Sequence, residues 1–427
     1  MKSIFKLAKT IFPFHRSITG KGVEKTLYFI KKHHLRDIKV KKIKSGKQVF
    51  DWRIPSEWEI KDAFLKNSKN KKIIDLKKNN LHVVQYSKKI NKVINKKELT
   101  KHLHFNKDLP KSIPYVTSYY KKTWGFCLPF NEVKKIKGKK FLAYIDSNFK
   151  KKGSLTYGDL YLKGKSKKEI LISTYICHPS MANNEVSGIA VSTFLAKYFL
   201  KKKLYYSIRF IFIPETIGSI SYIEKNIKKL KKNVIAAYNL SCVGDNKKYS
   251  FINTRFENTL SDRAAEITFK EMKIKYKKYN FLERGSDERQ FNSPNINIPM
   301  AVFTRSKFGT FKEYHTSEDN LNFISHKGLL GSYNLVKNTL NKIQKQIIPF
   351  SLISCEPMMS KRNLYPTLSQ ISFKKKNEKR IQNLMNFIAY CDGKNELEYI
   401  SRKIRLSYRE CLQIFKKLKK LKIVSKL

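Results

Sequence analysis

Between residues 153 and 345 the chain alternates between two kinds of apolar segment, and this rhythm restricts its fold more than any other feature. "EILISTYI", "YYSIRFIFIPE", "VIAAYNLSCVG" and "IPMAVFTRS" are short, β-branched or aromatic runs. Between and after them stand "SGIAVSTFLAKYFLKK", "SISYIEKNIKKLKKN", "TLSDRAAEITFKEMKI" and "SHKGLLGSYNLVKNTLNKIQKQI", apolar at helical spacing. Strands alternating with helices of this length predict a twisted, largely parallel sheet covered on both faces. Ligands bind such sheets beyond the carboxyl ends of the strands. His178, Glu215 and the pair Gly244-Asp245 each follow a predicted strand.

The flanking regions have other textures. A first amphipathic helix is expected near the N-terminus, and a second over 20–34. From 46 to 149 the segments "QVFDWRIPSEWEI", "KKIIDL", "HVVQYS", "IPYVTSYY", "WGFCLP" and "FLAYIDSNF" read as short strands bounded by Pro, Gly or Asn. All three tryptophans lie in this β-rich stretch. A linker near 354–370 leads to three short helices. There "ELEYISRKIRLSYRECLQIFKKLKKLKIV" has the pattern of a helix-turn-helix with "RLS" as its turn. The expected domains are 1–45 with 150–350, 46–149, and 360–427.

Composition removes several function classes. With 427 residues, 41% hydrophobic, 28 Phe and 23 Tyr, the chain can bury a substantial core. Six scattered cysteines form no CxxC, which argues against a disulfide framework and for a reducing, cytoplasmic setting. No run of about 18 apolar residues is present to span a membrane. The net charge of +57 invites a nucleic-acid reading, yet 76 of the 90 basic residues are Lys and only 14 are Arg. Phosphate recognition leans on Arg as well, so spread-out lysine predicts only nonspecific, salt-sensitive contact with anions or nucleic acid.

Four motifs suggest chemistry: "CHPSMANNEVSG", "FIPETIGSI", "GSDERQF" and "KEYHTSEDNL". Each is weak alone. A lone His at a strand end is usually a hydrogen-bonded loop residue, and Glu215 could simply favour a helix N-terminus. Together they fall at loop tips along one sheet edge.

Their order resembles the zinc-dependent aminopeptidases of the two-zinc type. More specifically, "SYYKKTWGFC", "LTYGDLYLKG", "CHPS", "PETIGSI" and "GSDERQF" resemble the aminopeptidase-like proteins found among bacterial polysaccharide-biosynthesis genes. The resemblance spans nearly the whole chain. It implies a zinc-aminopeptidase-like three-layer α/β sandwich, an inserted small β domain and a C-terminal winged-helix domain. It places His178, Asn184 and His315 on metal-ligand positions and Glu215 on the general base. Thr216 and Ser241 fall where the two-zinc enzymes have carboxylate ligands. Asp287, Arg289, Arg305 and Tyr314 are candidates for substrate binding, and Asp245 or Asp287 for a replacement ligand.

The departures limit the metal. Asn184, Thr216 and Ser241 are neutral where carboxylates are expected, so at most one weakly bound Zn ion is predicted. Three functions stay open: a metal-dependent hydrolase of a small peptide or amino-acylated sugar, a weak or inactive binding scaffold, and a winged-helix regulator with an enzyme-like sensor core. A homo-oligomer is compatible with each.

Overall fold

The computed structural model describes residues 2–364 and 375–427, so the end of the expected 354–370 linker lies outside the described residues. Helices α1 (Lys2–Ile11) and α2 (Lys21–His33) precede strand β1 (Lys39–Lys44). After an inserted region come β2 (Ser154–Leu162), β3 (Ser166–Tyr175), α3 (Ser187–Leu200), β4 (Tyr206–Ile213), α4 (Ile217–Asn233) and β5 (Val234–Leu240). Then follow β6 (Tyr249–Ile252), α5 (Leu260–Glu271), β7 (Tyr276–Tyr279), β8 (Met300–Thr304) and α6 (His326–Lys345). The strands form one eight-stranded sheet in the order β1-β2-β4-β3-β5-β8-β6-β7.

The sheet is more mixed than the rhythm predicts. β3 pairs in parallel with β4 and β5, β5 with β8, and β6 with β7. β1–β2, β2–β4 and β6–β8 are antiparallel. The antiparallel edge was hidden because β1 reads "KVKKIK", a lysine-rich edge strand with one buried residue. β2 carries Gly158 in its middle, where a Cβ would stand 2.7 Å from the Leu27 side chain. That glycine lets α2 lie close on the sheet.

Alternation along the strands sends side chains to two cores. Ile170, Ile172, Tyr238 and Leu240 meet α1, α2, α3, α5 and α6 on one face. Leu171, Ile211 and Ala237 meet Ile217, Ile220, Ile223 and Leu230 of α4 on the other, with Trp58 and Tyr86 from the inserted region. The result is the three-layer sandwich.

The inserted region builds a separate antiparallel sheet of four strands, Lys72–Asp75, Glu57–Asn67, Lys140–Lys150 and Ile90–Asn95 in that spatial order. Leu65, Trp124, Phe126, Phe141 and Ala143 fill its core. "HVVQYS" and "IPYVTSYY" do not form the strands their composition predicts. They are extended loops with isolated bridges, because their amides bond one at a time to dispersed partners. Gln85 N–H donates to Val116, Ser118 N–H to Gln85, and Tyr115 N–H to His315.

The C-terminal region contains α7 (Lys375–Ala389), α8 (Leu397–Lys403) and α9 (Tyr408–Lys420). The chain turns at Arg405, φ +58°, and α9 opens with a Ser407–Glu410 capping box. Pro349–Ser351 pairs antiparallel with Val424–Lys426. A buried ion pair between Arg263 of α5 and Glu396 fastens this region to the sandwich. Removing one partner of such a pair strands the other charge, so Glu396→Ala is expected to cost about 3–5 kcal/mol in urea unfolding. Replacing both partners with apolar residues should recover most of it. A loss below about 1 kcal/mol for the single variant would show that the pair is not a clamp.

Candidate metal centre

His178 lies just beyond β3, and its backbone and ring are held by one carboxylate. Glu185 Oε2 accepts from the Cys177 amide at 2.7 Å, from the His178 amide, and from His178 Nδ1 at 2.8 Å. Glu185 Oε1 accepts from Arg16 Nε at 2.7 Å. Arg16 also donates to the His178 carbonyl at 3.1 Å and to the Ile11 carbonyl at 2.6 Å. Arg16 and Glu185 are both fully buried. With Nδ1–H committed to Glu185, His178 turns Nε2 outward, where it becomes a lone-pair donor once that nitrogen's proton is released. Burial opposes a charged His178, but Cys177 and Glu185 outweigh it and hold its pKa well above the usual range. Glu185 is the charge that matters, since burial pushes the Cys177 thiol up to about 11.

Asn184 sits in the single π-turn Ala182–Val186 that leads into α3. Asp319 fixes this turn by accepting the Asn183 and Asn184 amides at 2.6 and 2.9 Å. Burial pushes the Asp319 carboxyl up to about 7. Both amide atoms of the Asn184 side chain are buried without a hydrogen-bond partner.

His315 comes from the far loop, in the left-handed region at φ +57°. Its carbonyl accepts from the Tyr115 amide at 2.9 Å, and its Nε2 is buried without a partner. Burial and the neighbouring His178 lower its pKa to about 3, so the ring is neutral. The two imidazoles lie 5.3 Å apart. Tyr314 stacks on His315 at 3.9 Å, and Tyr115 stands 5.3 and 5.2 Å from the His178 and His315 rings.

Glu215 follows β4. Its Oε2 lies 3.8 Å from His178 Nε2 and its side chain is 23% exposed. Thr216 adopts φ +61°, a strained conformation for a β-branched residue. Its amide donates to Asp287 Oδ1 at 2.8 Å, and its hydroxyl accepts from Arg289 at 2.8 Å. Burial and the Glu215 charge push the Asp287 carboxyl up to about 8. Ser241 is buried with an unpaired hydroxyl.

His178, Asn184, Glu215, His315, Tyr314, Asp287 and Arg289 thus share one neighbourhood. Arg305 does not. It stacks on Tyr249 at 3.7 Å and donates to Asn246, on the side of α6. Asp245 is no spare ligand, since it accepts from Asn183, Lys247 and Ser306. Arg16, Glu185, Tyr115 and Tyr119, whose hydroxyl lies 2.9 Å from that of Tyr115, are the residues that sequence reading missed. Glu185 was visible in "NNEVSG" and the tyrosines in "PYVTSYY", but nothing local tied Arg16 to them.

The donor set fits one metal ion. His178 Nε2, His315 Nε2 and Asn184 Oδ1 offer two imidazole nitrogens and a neutral amide oxygen; the last two are buried orphans, and a metal ion would have to displace the proton that Glu185 favours on His178. Cys177, His178 and Glu185 also bring ligand atoms within 4.8 Å of one another. Glu185 already serves four donors, so that trio holds His178 in place and is not a second site.

A mixed sheet of this order, with donors beyond the carboxyl ends of its central strands, defines an aminopeptidase-like fold. Its likeness to a zinc aminopeptidase from Bacillus subtilis has a TM-score of 0.59 at 15% identity, covering 80% of this chain and 93% of that one. The chain belongs to the family described as "Domain of unknown function (DUF4910)", matched over residues 5–346, and residues 348–426 match a winged helix-turn-helix. It is 41% identical over 407 residues to a Clostridium acetobutylicum protein described as a candidate polysaccharide-biosynthesis protein with an aminopeptidase-like domain. That match covers 95% of this chain and 92% of the relative. A crystal structure of a candidate peptidase from the same organism has a TM-score of 0.80 at 38% identity, covering all of this chain and 96% of that one. Among the described residues no helix is long and apolar enough to cross a membrane.

Proposed function

We propose that the protein is a single-metal hydrolase of a peptide or amide bond, with a small peptide or an amino-acylated sugar of a surface-polysaccharide precursor as substrate. The observation that carries this reading is Glu215, part-exposed and 3.8 Å from His178 Nε2, beside the orphaned donors of His315 and Asn184. The relative's description supports the polysaccharide setting.

His178, His315 and Asn184 would hold the ion, and zinc there supplies Lewis-acid polarisation of the scissile carbonyl. Glu215 takes the proton of the attacking water and delivers it to the leaving nitrogen. Arg289, exposed and bonded to the Thr216 hydroxyl, and Tyr314, stacked on His315, would orient the substrate's polar groups.

The purified protein is expected to contain at most one zinc per chain, measured by elemental analysis, and His178→Ala to lose it. Asn184→Asp restores a negative ligand and should tighten zinc binding and raise amidase turnover. Two fully occupied ions in the wild type would end the single-metal reading. Unchanged zinc affinity in Asn184→Asp would remove residue 184 from the ligand set.

A second reading, a binding scaffold without turnover, is favoured by the three neutral residues Asn184, Thr216 and Ser241 at carboxylate positions. It expects Asn184→Asp to gain zinc yet hydrolyse nothing across a panel of aminoacyl and peptidyl amides.

A further inference from the structure

The inserted region buries two of its tryptophans and displays the third. Trp58 and Trp124 are 2% and 5% exposed, whereas Trp52 is 40% exposed and its neighbour Tyr120 is 58%. The Trp52 and Tyr120 rings stand 6.4 Å apart and inclined at 55°, so neither covers the face of the other. Leaving such rings in water forgoes the burial that stabilises the other tryptophans.

The backbone holds these rings out. Gln48–Val49 and Trp52–Arg53 form a hairpin with Phe50 and Asp51 at its tip. Phe50 takes φ +49°, a conformation that hairpin tips ordinarily give to glycine or asparagine. Its ring is exposed, so burial does not offset the strain. At the base of the hairpin, Val49 is buried with Ile217 and Ile220 of α4, and Lys47 bonds Glu224 of the same helix at 2.9 Å. From the other side, the Tyr120 hydroxyl donates to the Arg53 carbonyl at 3.0 Å. Hairpin and loop thus present the two rings in a fixed arrangement.

This platform adjoins the candidate centre. Tyr119, one residue before Tyr120, packs on the buried Tyr86 at 5.1 Å, and its hydroxyl meets that of Tyr115, which stands against His178 and His315. Burial holds the Tyr119 hydroxyl protonated well above the usual tyrosine range, and the Glu215 charge adds to it. Glu215 and Thr216 in turn lead into α4, the helix beneath the hairpin.

The chemistry of the platform selects a sugar ring. A pyranose with equatorial substituents has a flat face of weakly positive C–H groups, which suits the negative face of an aromatic ring. Its hydroxyls need donors and acceptors at the edge of the stack. Arg53 and Asp51, both exposed beside Trp52, carry them. Two rings are too small a surface for a protein partner, which buries about 800 Å² on each side.

We infer that Trp52 and Tyr120, with Phe50 beside them, form a stacking platform for the pyranose ring of an acylamino sugar, whose amide lies toward Glu215. The inference rests on the proposed hydrolase for the fate of that amide, but not for the binding of the ring.

The test uses the full chain and chitotriose, an uncharged trimer of 2-acetamidoglucose, so that the lysine-rich surface plays no part. Binding is measured by calorimetry and by tryptophan fluorescence, where Trp52 is the exposed indole. Saturable binding is expected, and Trp52→Ala and Tyr120→Ala should each weaken it about tenfold. Trp52→Phe keeps a ring and should lose less than about threefold. Phe256→Ala removes an exposed ring of the sandwich and should change nothing. Zinc content should match the wild type in every variant. The inference is overturned by no saturable binding up to about 10 mM, by an equal loss in Phe256→Ala, or by equal binding of sorbitol, a linear polyol without a ring face. Chitotriose held through Trp52 and Tyr120, with no amide cleaved, would keep the platform and remove the hydrolase. Peptide amides cleaved with the same kcat/KM in wild type and Trp52→Ala, with no chitotriose bound, would keep the hydrolase and remove the platform.

Discussion

Glu185→Gln is expected to lose both zinc affinity and stability. Glu185 serves four donors on two sides: Arg16 at one oxygen, and the Cys177 amide, the His178 amide and His178 Nδ1 at the other. Glutamine has one acceptor oxygen. If that oxygen faces His178, the amide NH₂ faces the Arg16 guanidinium and a buried cation loses its counter-charge. If it faces Arg16, the two backbone amides lose their acceptor and His178 Nδ1 is offered a donor. The ring then takes the tautomer with Nε2–H, which cannot ligate. Either arrangement should cost about 3–5 kcal/mol in denaturant unfolding. Zinc affinity should fall about 10- to 100-fold, as measured by competition with a chelator. Histidine ¹⁵N shifts separate the causes, since only loss of positioning moves the His178 tautomer. A folded Glu185→Gln protein with wild-type zinc affinity would show that Arg16 and Glu185 have no part in the metal centre.

Glu215→Gln should abolish amide hydrolysis while zinc stays bound. Among the described residues this carboxylate is the part-exposed acid beside His178 Nε2, at 3.8 Å, and its proposed task is to move a proton, which an amide cannot do. The expected fall in turnover is about 10²–10⁴-fold, with zinc content equal to wild type. The Glu215 amide donates to Cys177 Sγ at 3.3 Å, a backbone contact that the substitution leaves alone. Turnover that survives Glu215→Gln would assign the proton transfer to another group, with Asp287 the next to test.

The sandwich was legible because its central strands, such as "EILISTYI", are buried on both faces and read as continuous apolar runs. Its edges were not. β1 is mostly lysine, and β2 is interrupted by the glycine that α2 requires. His178, Asn184, Glu215 and His315 stood out because they follow strands or sit in compact motifs. Arg16 did not, because its value comes from an ion pair to a residue 169 positions away. Arg305 misled for the opposite reason. It is close to His315 in sequence, but β8 ends there and its side chain turns toward Tyr249. The tyrosines of "PYVTSYY" looked like strand residues, since an extended loop and a strand share a composition and differ only in where their amides bond.

That loop has a consequence for how the molecule could have been assembled. The Tyr115 amide and the His315 carbonyl are joined, Pro114 bridges Thr316, and the Ile113 amide bonds the Ser317 hydroxyl. The inserted region therefore supplies a wall of the candidate centre and the backbone partner of a proposed ligand. It is not a detachable ornament on a finished sandwich. A chain excised of residues 57–150 would keep every proposed ligand and still lack the scaffold that sets His315 in its left-handed conformation. Insert and sandwich are therefore expected to be exchanged as a single unit, since recombination between them would break the contacts that hold the His315 loop even where both halves fold.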